Sequence, residues 1–525
     1  MMGRYINLGN DGFAAVRKGL YVDKSGLVGF MNETLGTKDK LTCVSRPRRF
    51  GKSYATQMLC AYYDKSCNSE ELFCDLEIAK EKSYKENLNR FNVIYLDITW
   101  FISIVRNVEN TVQRMQEEVI RELEEAFPSV SQKTNSLAVA LANINESLGE
   151  KFIILIDEWD ALFREAKEHE KLQKEYLQLL RALFKSSQTD KMIEAAYMTG
   201  ILPIKKYGTQ SALTDFREYS MVQPKRLAKY VGFTEKEVRM LCEQYDMDFT
   251  EMKRWYNGYS FSREKSVYSP NSVIEAVKSG EYGDYWTQTE TYRALKIYIE
   301  MDEQGLKETI IRMLAGEKCP VDIGTFQNDM TNIHNRDDVL TLLVHLGYLA
   351  YDRETESVSI PNEEVRQEFM RAVKSSRYTD IVKLIMDSEK LLQDTFAMNE
   401  EVVSTAIENI HRTMTAPTFY NNEQALRSVI RFAYISCIGS YVEIQELPSG
   451  KGYADVVFLP KKSSSLPALF IELKWNKTEE SAIRQIKENY YPEVLKSYGG
   501  RILLIGINYD PKSQKHSCRI EEYRI

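Results

Sequence analysis

The chain is poor in the residues that most quickly assign a function. Its 525 residues include eight cysteines and five histidines. No C-x-x-C pair occurs, and no cysteines and histidines stand at metal-finger spacing, which argues against a structural zinc site. Cys60, Cys67 and Cys74 recur at seven-residue intervals, a spacing that small apolar residues on one helix face explain. Nowhere does an uninterrupted apolar run approach the roughly 18 residues of a membrane span. The opening MMGRYINLGNDGF lacks the charged head and apolar stretch of a secretory leader. Free thiols in a reducing cytoplasm, with no membrane partner, are the expectation. Positive charge is not in excess: 69 Lys and Arg against 76 Asp and Glu give a net charge of −7, so nucleic-acid binding would need a local basic surface.

What is present is an ordinary globular composition, 43% hydrophobic and 28% charged, on a chain long enough for three or four domains. In the first part, DKLTCVSRPRRFGKSYATQMLCAYY reads as strand, loop and helix. FNVIYLDITWF, KFIILIDEW and IEAAYMTGIL are strand-length apolar runs, with the amphipathic NTVQRMQEEVIRELEEAF between the first two. Strands alternating with helices predict an α/β domain built on a parallel sheet, ending near residue 225. Residues 226–290 predict a small helical appendage, with a capping box at Thr234 and Glu237 and a turn at Asn257-Gly258. Within 291–400, DDVLTLLVHLGYLAYDRETESVSIPNEEVRQEF has the helix–strand–turn–strand–helix outline of a winged helix, without the basic recognition helix of a DNA reader. Residues 401–525 return to α/β: a helix, the strands YADVVFLP and LPALFIELKW around a KKSSS hairpin loop, a helix, and the strand GRILLIGINY.

Two clusters carry chemistry. In RPRRFGKS, Gly51 permits close backbone approach to a phosphate, Lys52 would reach the β- and γ-phosphates, and the Ser53 hydroxyl would ligate Mg²⁺. Arg46 stands where a phosphate loop usually begins with glycine. A structural turn also accounts for G-K-S alone. FIILIDEWD adds a buried strand that delivers Asp157, to hold Mg²⁺, and Glu158, to orient or deprotonate water, at a carboxyl-terminal sheet edge. Thr199 ends a later strand, where it would sense the γ-phosphate or cap a helix; Asp160 would support the acids or cap the next helix. The arginines at 46, 48 and 49 would neutralise phosphate or clamp a partner, or do neither.

The second cluster is Asp455 in GYADVVF with Glu472 and Lys474 in FIELKW. Residues two apart on a strand share a face, so Glu472 and Lys474 would share a pocket with Asp455 across the hairpin. Two carboxylates and an ammonium group suit Mg²⁺-dependent phosphodiester cleavage. Glu423 on the preceding helix would be a further metal ligand, Gln485 would face the same pocket, and Tyr490 and Tyr491 would be core or flank a nucleic-acid strand.

RPRRFGKS, with YVDKS at Tyr21–Ser25, DEWD at Asp157–Asp160, MTGI near Thr199 and WYNGY at Trp255–Tyr259, resembles the bacterial AAA-ATPase-like family over almost the whole chain. The Asp455, Glu472 and Lys474 pattern is similar to the D…ExK core of the PD-(D/E)XK superfamily. The resemblance implies a P-loop NTPase parallel sheet with a helical lid (226–290), a winged-helix-like linker (291–400) and a restriction-endonuclease-like α/β domain (401–525). It implies ATP and Mg²⁺ as cofactors, and an arginine-proline start as the normal form of the loop. Arg46, Arg49, Phe50, Gly51, Lys52, Ser53, Tyr54, Asp157 and Thr199 become the nucleotide-binding set. Glu158, Asp455, Glu472 and Lys474 become the catalytic residues, and Ser53, Asp157, Glu423, Asp455 and Glu472 the metal ligands. The expectation is an ATPase that regulates a nuclease acting on DNA or RNA, by analogy in defence or mobile-element biology. The alternative is an ATP-driven switch or scaffold with a silent nuclease-like domain, and a homo-oligomer is compatible with either.

Overall fold

The structure is a computed structural model. It describes residues 3–523 except 132, 205, 208–209, 212, 262–263, 265, 287–290, 301–304, 328–332, 375–378, 415–422, 450–451, 461–465 and 489–499. The chain forms two compact units, Met1–Gln288 with Pro320–Val365, and Thr289–Cys319 with Arg366–Ile525. The segment 291–400, expected as a module of its own, is therefore divided between them.

The first unit is built on a parallel sheet of β1 (Leu41–Ser45), β2 (Asn92–Asp97), β3 (Phe152–Asp157), β4 (Ile193–Gly200) and β5 (Arg217–Tyr219), in the order β2-β3-β4-β1-β5. Every residue of β1 and β3 is buried, as a sheet covered on both faces requires. Helix α1 (Lys52–Tyr63) follows β1; α2 (Thr111–Ala126), α3 (Leu137–Leu148) and α4 (Glu170–Phe184) contribute Val119, Leu141 and Leu180 to the core cluster that also holds Ile154 and Ile156 of β3. The cysteines at seven-residue spacing do not share a helix. Helix α1 ends at Tyr63, because the Asp64 carboxylate turns to accept the N–H groups of Gly9 and Ser66, and only Cys60 lies on α1.

Residues 226–286 add α5 (Glu235–Gln244), α6 (Phe249–Tyr256) and α7 (Pro270–Ser279), which close over their own core of Val238, Met252, Trp255, Tyr268 and Val273. The capping box at Thr234 and Glu237 is present with both of its hydrogen bonds. Next come α8 (Arg336–Leu346), the antiparallel pair β6 (Ala350–Asp352) and β7 (Ser357–Ser359), and α9 (Glu363–Lys374), as the winged-helix outline predicts. The chain leaves the first unit along α9. Gly258 of WYNGY explains why that motif needs glycine: its φ is +123°, and a Cβ there would lie 2.0 Å from the Pro361 carbonyl oxygen. Beside it, Asn362 donates to the Asn257 carbonyl and the Tyr259 hydroxyl to that of Gly347.

The second unit holds α10 (Glu400–Met414), α11 (Glu423–Ala433) and a mixed sheet of β8 (Tyr441–Ser449), β9 (Gly452–Pro460), β10 (Ala468–Trp475), β11 (Ile502–Asp510) and β12 (Lys515–Tyr523), paired in chain order. Only β10 and β11 run parallel; the chain between them carries α12 (Glu479–Glu488), since parallel neighbours need a crossover. Helix α12 approaches β11 closely enough that a Cβ at Gly506 would meet the Glu479 carbonyl oxygen at 2.4 Å. The edge strands β8 and β12 escape a reading of apolar runs because they are interrupted by charge. On β12 the signal is alternation, with His516, Cys518 and Ile520 buried. KKSSS, Tyr490 and Tyr491 lie outside the described residues. Among the described residues no helix is long and apolar enough to cross a membrane.

The close approach at Gly258 generates a prediction. Gly258→Ala should destabilise the first unit by about 2 kcal/mol or more, through left-handed backbone strain and overlap with Pro361, seen as a lower thermal midpoint. An unchanged midpoint would mean the turn relaxes freely.

Candidate active sites

Strand order sets the first site. Because β4 lies between β1 and β3, its carboxyl end separates the loop after β1 from the acids after β3. Val44 pairs with Thr199, and Ile156 with Met198, so Asp157 stands level with Thr199 across β3 and β4. Gly51 takes a φ of +84°, and the first turn of α1 has no side-chain cap, leaving backbone N–H groups open to an anion. A cavity of about 670 Å³ opens there, lined by Arg48 to Ala55, Glu158 and Arg164.

Lys52 is buried, and its Nζ donates to the Pro47 carbonyl (3.1 Å) and lies 3.3 Å from Glu158 Oε1. The other Glu158 oxygen accepts from Arg164 Nη2 at 2.5 Å. Burial opposes the Glu158 charge, but Lys52 and Arg164 hold its carboxyl below the usual range. Asp157, beside it, accepts from the Tyr95 hydroxyl at 3.3 Å. Burial pushes the Asp157 carboxyl up to about 6, with Ser53 opposing and Glu158 adding to the rise. The Thr199 hydroxyl is buried without a hydrogen-bond partner, and Thr199 lies within β4, so it caps no helix. A lysine, two acids, a hydroxyl ligand and an unsatisfied hydroxyl fit a magnesium-bound triphosphate; Ser53 and Asp157 would hold the ion.

Arg46 does not belong to this cradle. It is fully buried, donates to the Ser45 and Tyr219 carbonyls and lies over the Phe261 ring, so it ties β1 to its neighbour β5 instead of meeting phosphate. Arg49, with φ +67°, donates to the Tyr285 carbonyl. Phe50 lines the cavity but packs edge-on against Tyr259. Tyr54 is 60% exposed at the cavity mouth. Asp160 makes no side-chain cap; its carboxylate accepts the Ile201 and Leu202 N–H groups and Arg164 Nε, fixing the turn after β4. Sequence reading missed Arg164, whose only signal is its place one turn beyond Asp160. It also missed the apolar wall of Leu20, Tyr21, Val22, Met58, Phe233 and Ile274, which converges from the amino-terminal segment, α1 and the lid. YVDKS assembles part of that wall: Lys24 Nζ bonds the capping-box Glu237 at 2.6 Å, and Asp23 accepts the Ser25 and Glu77 N–H groups.

In the second unit, Val456 pairs with Ile471, so Asp455 and Glu472 stand one step further along β9 and β10. Asp455 Oδ2 accepts the Leu473 N–H at 2.9 Å. Glu472 Oε1 accepts from Lys474 Nζ at 3.0 Å, and Glu472 Oε2 is buried without a hydrogen-bond partner. Burial first, and the Asp455 charge second, push the Glu472 carboxyl up to about 7. An orphaned carboxylate oxygen beside a second acid fits a divalent ion, which takes one or two carboxylates and completes its shell with water and phosphate oxygens. Among the described residues no group of three or more acidic, His or Cys ligands assembles. Glu423 begins α11, and its side chain lies outside the described residues; Gln485 is half-buried on α12. Arg427, missed in the sequence, donates to Asp455 Oδ1 at 2.5 Å.

Residues 8–209 match the family model described as predicted AAA-ATPase, and residues 421–518 match that of the PD-(D/E)XK nuclease superfamily. No curated protein matches the chain. Solved structures with likeness include the Aeropyrum pernix ORC2 protein in ADPNP-ADP complexes, at 11% identity over 70% of this chain and 98% of that one, TM-score 0.32. AMPPCP-bound DnaA from Aquifex aeolicus follows, at 10% identity over 70% and 93%, TM-score 0.28. Overlaps this low carry no functional weight; the sheet order and the two family models do. The chain has a P-loop, AAA-ATPase-like domain and an α/β nuclease-superfamily domain.

The raised Asp157 carboxyl makes ligand-free stability depend on pH. Its folded value of about 6 exceeds the ordinary 3.8, so the ionised form destabilises the fold: the penalty is absent below 3.8, grows between the two values and is complete above 6. Asp157→Asn should therefore be more stable than the parent at pH 7.5, by up to about 3 kcal/mol, with the gap closing near pH 4. Urea titrations at both pH values check this, and a less stable variant at pH 7.5 contradicts it.

Proposed function

We propose that this AAA-ATPase-like, PD-(D/E)XK-bearing chain binds and hydrolyses Mg²⁺-ATP in its first unit and cleaves DNA or RNA with Mg²⁺ in its second, the nucleotide state of the first governing the second. The observation that carries the reading is the placement of Lys52, Ser53 and Glu158 on a cavity with an apolar wall on its other side, with Asp157 and Thr199 at the carboxyl ends of the adjoining β3 and β4. Lys52 exchanges Glu158 for the phosphates. Glu158, released from that ion pair, orients and deprotonates water, and Arg164 holds its other oxygen. The apolar wall takes the base, with Tyr21 and Phe233 supplying aromatic surface.

In the second unit, Asp455 and Glu472 would hold the ion, which lowers the pKa of bound water and neutralises charge on phosphate when present. Lys474 stands beside Glu472, where its ammonium group would neutralise phosphate charge. Coupling is supported by the route from the phosphate loop to α9: Arg49 bonds the Tyr285 carbonyl, and Tyr285 and Trp286 donate their N–H groups to Glu364 of α9. Loop movement at Arg49 would thus reach the helix along which the chain leaves the first unit.

The second reading, a switch whose nuclease-like domain only binds nucleic acid or protein, is favoured by one feature: both Asp455 oxygens already have donors, Arg427 and the Leu473 N–H.

Cleavage of single- and double-stranded DNA and RNA, with Mg²⁺ and with ATP, ADP or neither, separates the readings. The proposal expects cleavage that depends on the nucleotide and disappears in Lys474→Ala while ATP turnover persists. Glu158→Gln should bind ATP and lower turnover by about 100-fold or more, the scale of a lost general base. Absent cleavage under every condition supports the switch, and equal rates with and without nucleotide remove the coupling.

A further inference from the structure

We propose that Arg427 is a resident cation of the nuclease-like site: it occupies Asp455 when no metal is bound, competes with the metal for that carboxylate, and so sets the concentration at which the second unit is loaded. The proposal rests on the reading of Asp455 and Glu472 as metal ligands.

Two carboxylates stand side by side on β9 and β10 with little water around them, Glu472 being 2% exposed. Such a pair needs balancing positive charge. Three of its four oxygens already have donors: Arg427 Nη2 on Asp455 Oδ1, the Leu473 N–H on Asp455 Oδ2, and Lys474 Nζ on Glu472 Oε1. The fourth, Glu472 Oε2, has none. Lys474 shares a central strand with Glu472 and is buried. Arg427 differs in reaching Asp455 from a helix, with 30% of its side chain exposed, so it can swing toward solvent without disturbing the sheet.

Arg431, one turn further along α11, is engaged by Glu443 and does not substitute. A divalent ion takes the same Asp455 oxygen lone pairs that the guanidinium uses, and binding must break that charge-assisted hydrogen bond. Removing Arg427 should therefore tighten metal binding. If Arg427 instead aims Asp455 at the metal, its removal should loosen binding.

The test is calorimetric titration of the full-length, nucleotide-free protein with Mn²⁺. Asp455→Asn identifies the heat that belongs to this site by abolishing it. Arg427→Met should bind Mn²⁺ about tenfold more tightly than the parent, the scale of one hydrogen bond to a charged group, and Arg427→Lys should fall between them. The Mn²⁺-induced rise in thermal midpoint should be larger in Arg427→Met than in the parent. Should that variant fold poorly, Arg427→Gln must show the same tightening. Unchanged or weaker Mn²⁺ affinity in the Arg427 variants, with Asp455-dependent binding intact, overturns the proposal and leaves the metal site standing. No Asp455-dependent binding in any of them removes both.

Discussion

Both candidate sites depend on one constraint: acidic side chains held out of water at the end of a buried sheet must be matched by positive charge. In the first unit the match is the ion pair of buried Lys52 with partly buried Glu158, with Arg164 on the second oxygen. In the second it is Lys474 on Glu472 and Arg427 on Asp455. Breaking such pairs without a substitute costs several kcal/mol, about 3–5 in measured cases. A metal-bound polyphosphate is a fitting substitute, since it brings anionic oxygens for the lysine and a cation for the acids.

The constraint also accounts for the architecture around the sites. Asp157 and Glu158 can be delivered together only from a strand whose other residues are apolar enough to stay buried, which FIILI provides. Glu158 sits at φ +51°, a left-handed backbone that turns the chain out of β3 beside the cavity that Glu158 lines. Asp160 then fixes the turn after β4, so that Thr199 and the acids keep their spacing. The lid is tied to the amino-terminal segment by Lys24 and Glu237, closing the apolar side of the same cavity.

Much of this was legible in the sequence because the signals were local. A run of buried apolar residues ending in Asp-Glu, a Gly-Lys-Ser turn before a helix, and a Thr–Glu capping box each act within a few residues, and the structure keeps them. Arg46 misled because a loop arginine adjacent to a phosphate motif can face either way. The carbonyl groups at the end of β1 and β5 needed a donor, and Arg46 supplies it. Arg164 and Arg427 were invisible because their roles come from where helices land on sheets, which no spacing rule encodes. Strands β8 and β12 were missed for a related reason: charged residues interrupt them, so they lack the continuous apolar run that marked β3.

The central claim is that the Lys52 cradle is a site for magnesium-bound triphosphate, and equilibrium binding of ATP in the presence of Mg²⁺ tests it most directly. The account predicts one saturable site per chain that is lost in Lys52→Ala and retained in Arg46→Lys, since the arginine serves the sheet edge. No occupancy at millimolar ATP and Mg²⁺, or undiminished affinity in Lys52→Ala, would contradict it.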